Sequence, residues 1–289
     1  MVQGVFPSLE MHPAPSGLFS VARVVRHDSA DSWENGPYAW DTDACPAQLI
    51  LADFCASAAQ GAIVSVSGVP SGSMPFGVVS VFECVSVGMS SDRCRNIAAA
   101  QVEAGSQKAV EAELWSGHLA QASGRLETPY LSNGQAVDVT GGAAVRVIQG
   151  IAKLEQGLAD CGLGTAGVLH LTRQVAQLAG GLGALQLDAL GVLRTALGTP
   201  VVAGVGYDPA VVPETPAVAP MPAPATLGHR PDKQWGYATG PLVVHLGPVD
   251  HFGVRIDTAT NMMQTKAGRT GAAYWDSCCV VAVQIDTTL

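Results

Sequence analysis

The sequence predicts an α+β fold organised around one long helix. Three observations predict it. Ser90 to Gly117, SSDRCRNIAAAQVEAGSQKAVEAELWSG, is the longest uninterrupted helical pattern in the chain. Short β-rich runs lie on both sides of it. Stretches rich in Pro, Gly and Ser punctuate the rest.

The helix carries its own start and stop signals. Ser90 or Ser91 supplies an N-cap, and Asp92 puts negative charge at the positive end of the helix dipole. Alanines at 98–100, 104, 109 and 112 lose no side-chain entropy on folding. Ile97, Val102, Val110, Leu114 and Trp115 mark a partly apolar side, and Gly117 ends the pattern. At 1.5 Å per residue the helix is about 40 Å long.

Before it, residues 1–19 show no helical or strand period and read as an extended arm. Leu18–Val25 and Gln48–Phe54 have strand character, with a polar segment between them that includes the turn signal Asn35-Gly36-Pro37; they predict a projecting hairpin. Ile63–Val66 and Val78–Val87 are further strands. After the helix, 145–158 has helical spacing through Val145, Ile148, Ile151, Leu154 and Leu158. Gly167–Leu171 reads as a buried strand, Thr172 caps a helix carrying Val175, Leu178 and Leu182, and Thr199–Val202 is another strand. Seven prolines between Asp208 and Pro231 exclude a sheet interior there and favour an exposed extended loop. Strands close the chain at Tyr237–Leu246, Asn261–Lys266 and Cys278–Ile285, with Arg269–Trp275 between the last two.

Only 13% of residues are charged while 48% are hydrophobic, against about 25% charged in ordinary soluble proteins. So much apolar surface has to be hidden, and partner subunits are the natural cover. A net charge of -9 without a Lys/Arg run argues against a protein that grips nucleic acid, though not against one that encloses it. The start lacks a signal-peptide pattern. The leucine-rich stretch 175–193 is interrupted by Gln177, Gln186 and Asp188, so no membrane span is expected. Seven cysteines without a CxxC spacing suggest neither a disulfide framework nor a zinc ribbon, and most of them read as buried small hydrophobes in a reducing compartment.

Gly162-Leu-Gly164-Thr-Ala-Gly167 is formally GxGxxG, with Asp188 downstream where dinucleotide binding wants an acid. That chemistry needs a strand, a glycine turn and then a helix, so that the helix N-terminus meets the pyrophosphate. Here a helical segment precedes the glycines and the strand GVLHL follows, which makes a helix-to-strand turn the better account. His170 is a lone histidine among apolar residues, in keeping with a core or interface position. His245 and His251, with Asp250, lack further convergent ligands. His12, His27, His118 and His229 fall in loops and show no pairing. Ser71 lacks the glycine positions of a nucleophile elbow. Asp41, Asp43 and Asp53 read as solvated carboxylates, and Cys278 and Cys279 as a buried residue and its outward neighbour. No catalytic, cofactor-binding or metal-ligating residue is assigned.

The order of elements resembles that of the major capsid proteins of tailed bacteriophages, the Hong Kong ninety-seven fold, in the versions found in phages of actinobacteria. The helix ending AVEAELWSGHLAQASGRLETPYL resembles the family's spine helix and its exit. Residues 145–178 resemble the helix, buried strand and capped helix that open the axial domain. Leu197-Gly-Thr-Pro-Val-Val202 resembles that domain's Gly-x-Pro-Val-Val strand, and 261–285, with an Arg-x-Gly/Ala-Ala stretch, the closing hairpin.

The resemblance implies an N-terminal arm at 1–19 and an extended β-hairpin loop region at 20–76. It implies a peripheral domain of 77–144 plus 241–289 with the spine helix at 91–116, and an axial domain at 145–240 with the proline-rich loop 208–231. It further implies hexamers and pentamers of self in an icosahedral shell around double-stranded DNA, bound without sequence specificity, and a portal partner. The virion is the implied location, assembled in the host cytoplasm. No long acidic helical extension precedes the arm, so assembly needs a separate scaffolding protein or none. The cross-linking Lys–Asn pair of the founding member has no matching positions here. An encapsulin-type shell around protein cargo is the alternative within the fold. A minor virion component, such as a tail or decoration protein, and a nucleotide-binding enzyme using the 162–167 turn are the alternatives outside it.

Overall fold

The computed structural model describes residues 14–29, 38–40, 71–73, 75–85, 89–122, 129–211, 231–275 and 280–288. In chain order the first elements are β1 (Arg23–Arg26), β2 (Tyr38–Trp40), β3 (Ser71–Ser73), β4 (Phe76–Val85), α1 (Ser91–Ser116), α2 (His118–Ala122), β5 (Val137–Asp138) and β6 (Val145–Arg146). Then come α3 (Val147–Asp160), β7 (Val168–Thr172), α4 (Arg173–Gly181), β8 (Leu185–Leu187), β9 (Leu193–Thr195) and β10 (Val201–Gly204). The chain closes with β11 (Lys233–Thr239), β12 (Leu242–Leu246), β13 (Asp250–Asp257), β14 (Met262–Trp275) and β15 (Val280–Asp286).

Local chemistry sets the limits of α1. The Ser90 hydroxyl accepts from the Arg93 N–H at 3.3 Å, and Gly117 ends the helix at φ 60° with its N–H bonded to the Glu113 carbonyl. A Cβ at Gly117 would also lie 2.3 Å from the Tyr130 ring, so both backbone and packing require glycine there. Cys94, Ala98, Val102, Val110 and Leu114 form a buried stripe at fourfold spacing. Its N-terminal half is small, which lets a sheet approach closely.

That sheet is centred on β14. β4 runs antiparallel along one edge of β14, while β13 and then β12 run antiparallel along the other, and β1 adds in parallel outside β12. Ala98 and Val102 of α1 pack on Ala267 of β14. A second sheet has the order β10-β7-β11-β15-β5, with β6 also paired to β15. Both its faces are covered. Leu169, Leu171, Val201, Val283 and Ile285 point toward α3 and α4, whereas Val168, Val202, Tyr237 and Ala282 join Val110, Leu114 and Trp115 of α1. This explains why β7 is buried at every position instead of at alternate ones. Gly150 and Gly157 sit on one face of α3, where a Cβ would come within 2.7 Å of Ile285 and 2.8 Å of Val281. They allow helix and strand to touch.

Several expectations change. Leu18–Ser20 is a 3-10 turn and not a strand, and β1 pairs in parallel with β12. Segments 48–54 and 63–66 lie outside the described residues, as do 212–230 of the proline-rich loop. Tyr38–Trp40 and Ser71–Ser73 pair antiparallel. The run 237–246 is two strands in different sheets, parted at Gly240-Pro241. The runs at 261–266 and 269–275 are one strand. Strand 280–286, grouped from sequence with 241–275, pairs with β11 in the second sheet, because Val281, Val283 and Ile285 are buried against α3.

Candidate functional site

Two places combine precise polar geometry with bonds between parts of the chain distant in sequence or with exposed apolar side chains. One is the C-terminal half of α1, and the other is the β8–β9 hairpin.

On α1, Glu111 is fully buried. Its Oε1 accepts from the Leu18 N–H at 2.8 Å and from Gln107 Nε2 at 2.9 Å, and its Oε2 accepts from the Gly206 N–H at 2.8 Å. One carboxyl group thereby fixes the end of the arm and the loop after β10 to the same turn of helix. Gln107 Nε2 also donates to the Ala14 carbonyl, and the Ala203 N–H donates to the Ser16 carbonyl at 2.8 Å. Gly206 is required: its Cβ would lie 2.3 Å from the Lys108 carbonyl oxygen.

The next residue, Tyr207, stacks on Trp115 at 4.4 Å. The Tyr207 hydroxyl meets His170 Nδ1 at 2.8 Å, and His170 Nε2 meets Thr239 Oγ1 at 2.9 Å. Burial pushes His170 down to about 3, so it is a neutral, fully partnered ring in the core. Burial, followed by the nearby Glu111, holds the Tyr207 hydroxyl well above the ordinary tyrosine range. The side chains of His170, Tyr207 and Thr239 are all buried and brace the strands and loop that carry them.

In the hairpin, Asp188 Oδ1 accepts from the N–H groups of Leu190 and Val192, while Oδ2 accepts from Arg194 Nε at 2.6 Å. Arg194 Nη1 donates to the Gly198 carbonyl. Glu155 of α3 accepts from the hydroxyls of Thr195 and Thr199, which fastens the loop to the helix. The hairpin and the turn after it present leucines to solvent: Leu190 at the tip is 86% exposed, Leu187 at the end of β8 64%, and Leu197 beyond β9 71%. A hydrogen-bonded scaffold that displays apolar side chains is the pattern of a contact surface.

The residues weighed from sequence fall as follows. The glycine turn leads from α3 through a 3-10 turn (Gly164–Ala166) into β7, with Gly162 at φ 72° and Gly164 at φ 50°. A Cβ at Gly167 would lie 2.5 Å from Leu158. Asp188, the matching acid, is used within its own hairpin. His27, read as unpaired, meets His245 Nδ1 through its Nε2 at 2.8 Å with the rings stacked. The pairing joins positions 218 apart, which no local spacing reveals. His251 is exposed on β13. Cys161 is disulfide-bonded, an exception to the expectation that most of the cysteines are reduced; its bond leaves no short spacing signature in the sequence. His12, His229, Asp41, Asp43, Asp53, Cys278 and Cys279 lie outside the described residues. Among the described residues no group of three His, Cys, Asp or Glu converges on a metal position, and no helix is long and apolar enough to cross a membrane. Glu111 was missed by sequence reasoning. Its one signal is its place beside the apolar stripe, four residues from Gln107 and Trp115.

Arg269, in the Arg-x-Gly/Ala-Ala stretch, donates through Nε and Nη2 to the Gly247 carbonyl and through Nη1 to Glu103. Glu103 also binds Arg26 Nη1 at 2.8 Å, which ties β1 to α1 and β14.

No protein-family model matches the chain, and no curated protein does. Solved structures do match. A chain of Mycobacterium phage Cain aligns over 100% of this chain and 96% of its own, at TM-score 0.53 and 14% identity. A chain of Mycobacterium phage Adephagia aligns over 98% and 95%, at TM-score 0.53 and 12% identity. The SrpI encapsulin of Synechococcus elongatus aligns over 96% and 89%, at TM-score 0.52 and 13% identity. The fold is therefore of a class shared by phage and encapsulin structures. It is the Hong Kong ninety-seven-like fold, with α1 as its spine helix.

Proposed function

We propose that the chain is the major capsid protein of a tailed bacteriophage, related to those of actinobacterial phages, and that its role is structural and not catalytic. The observation that carries this reading is the end-to-end match in both directions to the chain of Mycobacterium phage Cain. The low charged fraction and the exposed leucines of the β8–β9 hairpin support it, since both suit a subunit that buries surface against neighbours. The arm is residues 1–19 and the extended loop region 20–76. The peripheral domain comprises 77–144 and 241–289, less the strand 280–286 that completes the axial sheet, and the axial domain is 145–240.

Hexamers and pentamers of this subunit close an icosahedral shell. A net charge of -9 lets the shell enclose double-stranded DNA without adhering to phosphate. A portal and, where needed, a separate scaffolding protein are its partners, and it assembles in the host cytoplasm. The match to an encapsulin at TM-score 0.52 supports the second reading, a shell around protein cargo.

Electron microscopy of the purified chain, alone and with a candidate scaffold co-expressed, tests the proposal. Closed shells or hexamer and pentamer rings support a shell subunit. A persistent monomer or small dimer under both conditions overturns it. Nuclease-protected DNA in particles made during infection supports the phage reading, and protein cargo without DNA the encapsulin reading.

A further inference from the structure

We infer that Cys84 and Cys94 are a disulfide-forming pair that staples the start of α1 to β4 under oxidising conditions. Both are free thiols, exposed to 7% and 0%. They belong to two elements that pack together, one near the end of β4 and the other in the first turns of α1. They share a small cluster with Met263 of β14, lined by Phe82, Met89 and Val254. Within that cluster the two side chains are near neighbours, both buried. A covalent bond between them would therefore join groups already in contact, at the junction of the central helix with the edge strand of its sheet.

The same surroundings keep the reduced pair dormant. Burial first, and then the hydrogen bond and charge of Cys84, push the Cys94 thiol up to about 11, and it is the thiolate that reacts. Reaction needs the site to open. The opening nearest to hand is fraying of the first turn of α1, where Ser91, Asp92 and Arg93 are exposed and Cys94 N–H makes an early helical bond to the Ser90 carbonyl at 3.1 Å.

With oxidised glutathione as oxidant the chemistry balances. One cysteine thiolate attacks the glutathione disulfide and releases one glutathione thiolate, leaving a mixed disulfide. The second cysteine thiolate attacks the protein sulfur of that mixed disulfide and releases the other glutathione. Two protein thiols lose their hydrogens, and one glutathione disulfide becomes two glutathione thiols.

The test uses the full chain exposed to oxidised glutathione, alkylated without reductant, and cleaved with a glutamate-specific protease. The expected product is the fragment Cys84–Glu103, two hydrogens lighter than the reduced form and carrying no alkyl group or glutathione. The oxidised protein is expected to melt about 5 °C higher than the untreated protein, because the cross-link restricts the unfolded chain. The rise is expected to be absent in Cys94→Ser and in Cys84→Ser, whatever their own melting points. Recovery of the fragment only as the dialkylated or glutathione-capped form overturns the inference. So does an equal rise in the serine variants. The inference does not depend on the shell reading, since every readout concerns the subunit itself.

Discussion

Leu18 and Glu111, 93 positions apart, are joined by a 2.8 Å hydrogen bond from a backbone N–H to a buried carboxyl group. The same carboxyl group holds Gly206, so the segment before β1, helix α1 and the loop after β10 meet at one side chain. Removing it leaves buried backbone donors without partners, at about 1–3 kcal/mol each. Glu111→Ala is therefore expected to cost on the order of 3 kcal/mol in urea denaturation of the unassembled subunit. It is also expected to speed proteolysis within residues 14–20. An unchanged midpoint would show that the arm is not held through Glu111.

Gly206 and Gly105 make opposite predictions from one rule. A Cβ at Gly206 meets backbone of α1 at 2.3 and 2.6 Å, which cannot yield as a side chain can. Gly206→Ala is expected to destabilise by about 1–3 kcal/mol. A Cβ at Gly105, in the middle of α1, meets nothing within 4 Å. Gly105→Ala is expected to stabilise the subunit by about 0.5–1 kcal/mol, the helical preference of alanine over glycine. Thermal melting of the two variants side by side checks both signs.

What could be read in advance follows the range of the forces involved. The limits of α1 were legible because its cap, its alanines and Gly117 act within a few residues. β14 was not read as one strand, since the expected strand ended at Lys266 and 269–275 stood apart from it. Gly268 is a packing requirement, since a Cβ there would lie 2.7 Å from the Phe252 ring. The continuous run 237–246 hid a change of sheet at Gly240-Pro241, and β13 went unread although Phe252, Val254 and Ile256 alternate along it. The pairings Glu111–Leu18, His27–His245 and β15–β11 rest on contacts between distant positions, for which a single sequence carries no periodic signal. The order of elements was enough to identify the fold even so.

Acid is expected to destabilise the fold through its buried histidines. His170 titrates at about 3 in the fold against an ordinary 6.5. Its contribution is fully present above about 6.5 and is lost as pH falls toward the folded value, because the unfolded chain takes up the proton first. The slope within that window is about 1.4 kcal/mol per pH unit for each such group. His245, lowered by burial and then by His27 and Arg23, adds with the same sign. Denaturant midpoints between pH 7.5 and 5 are expected to fall. In His170→Gln they are expected to start lower but fall less steeply. A variant with the wild-type slope would remove His170 as the source.

Leu190 separates folding from assembly. Its side chain is 86% exposed at the tip of β8–β9, while its backbone N–H is held by Asp188, so the side chain adds little to the subunit's own stability. If the hairpin is a contact surface between subunits, a charge there has to be desolvated in every contact. Leu190→Asp is therefore expected to leave the melting point of the unassembled subunit within about 1 °C, since exposed substitutions shift stability by less than about 0.5 kcal/mol. It is also expected to abolish closed shells in the electron microscope. Asp188→Ala is the complementary variant: it frees the turn while keeping the leucines, and is expected to weaken assembly by disordering the surface instead of charging it. Shells of normal number and size from Leu190→Asp would place the subunit contacts elsewhere, and the exposed leucines would then need another partner.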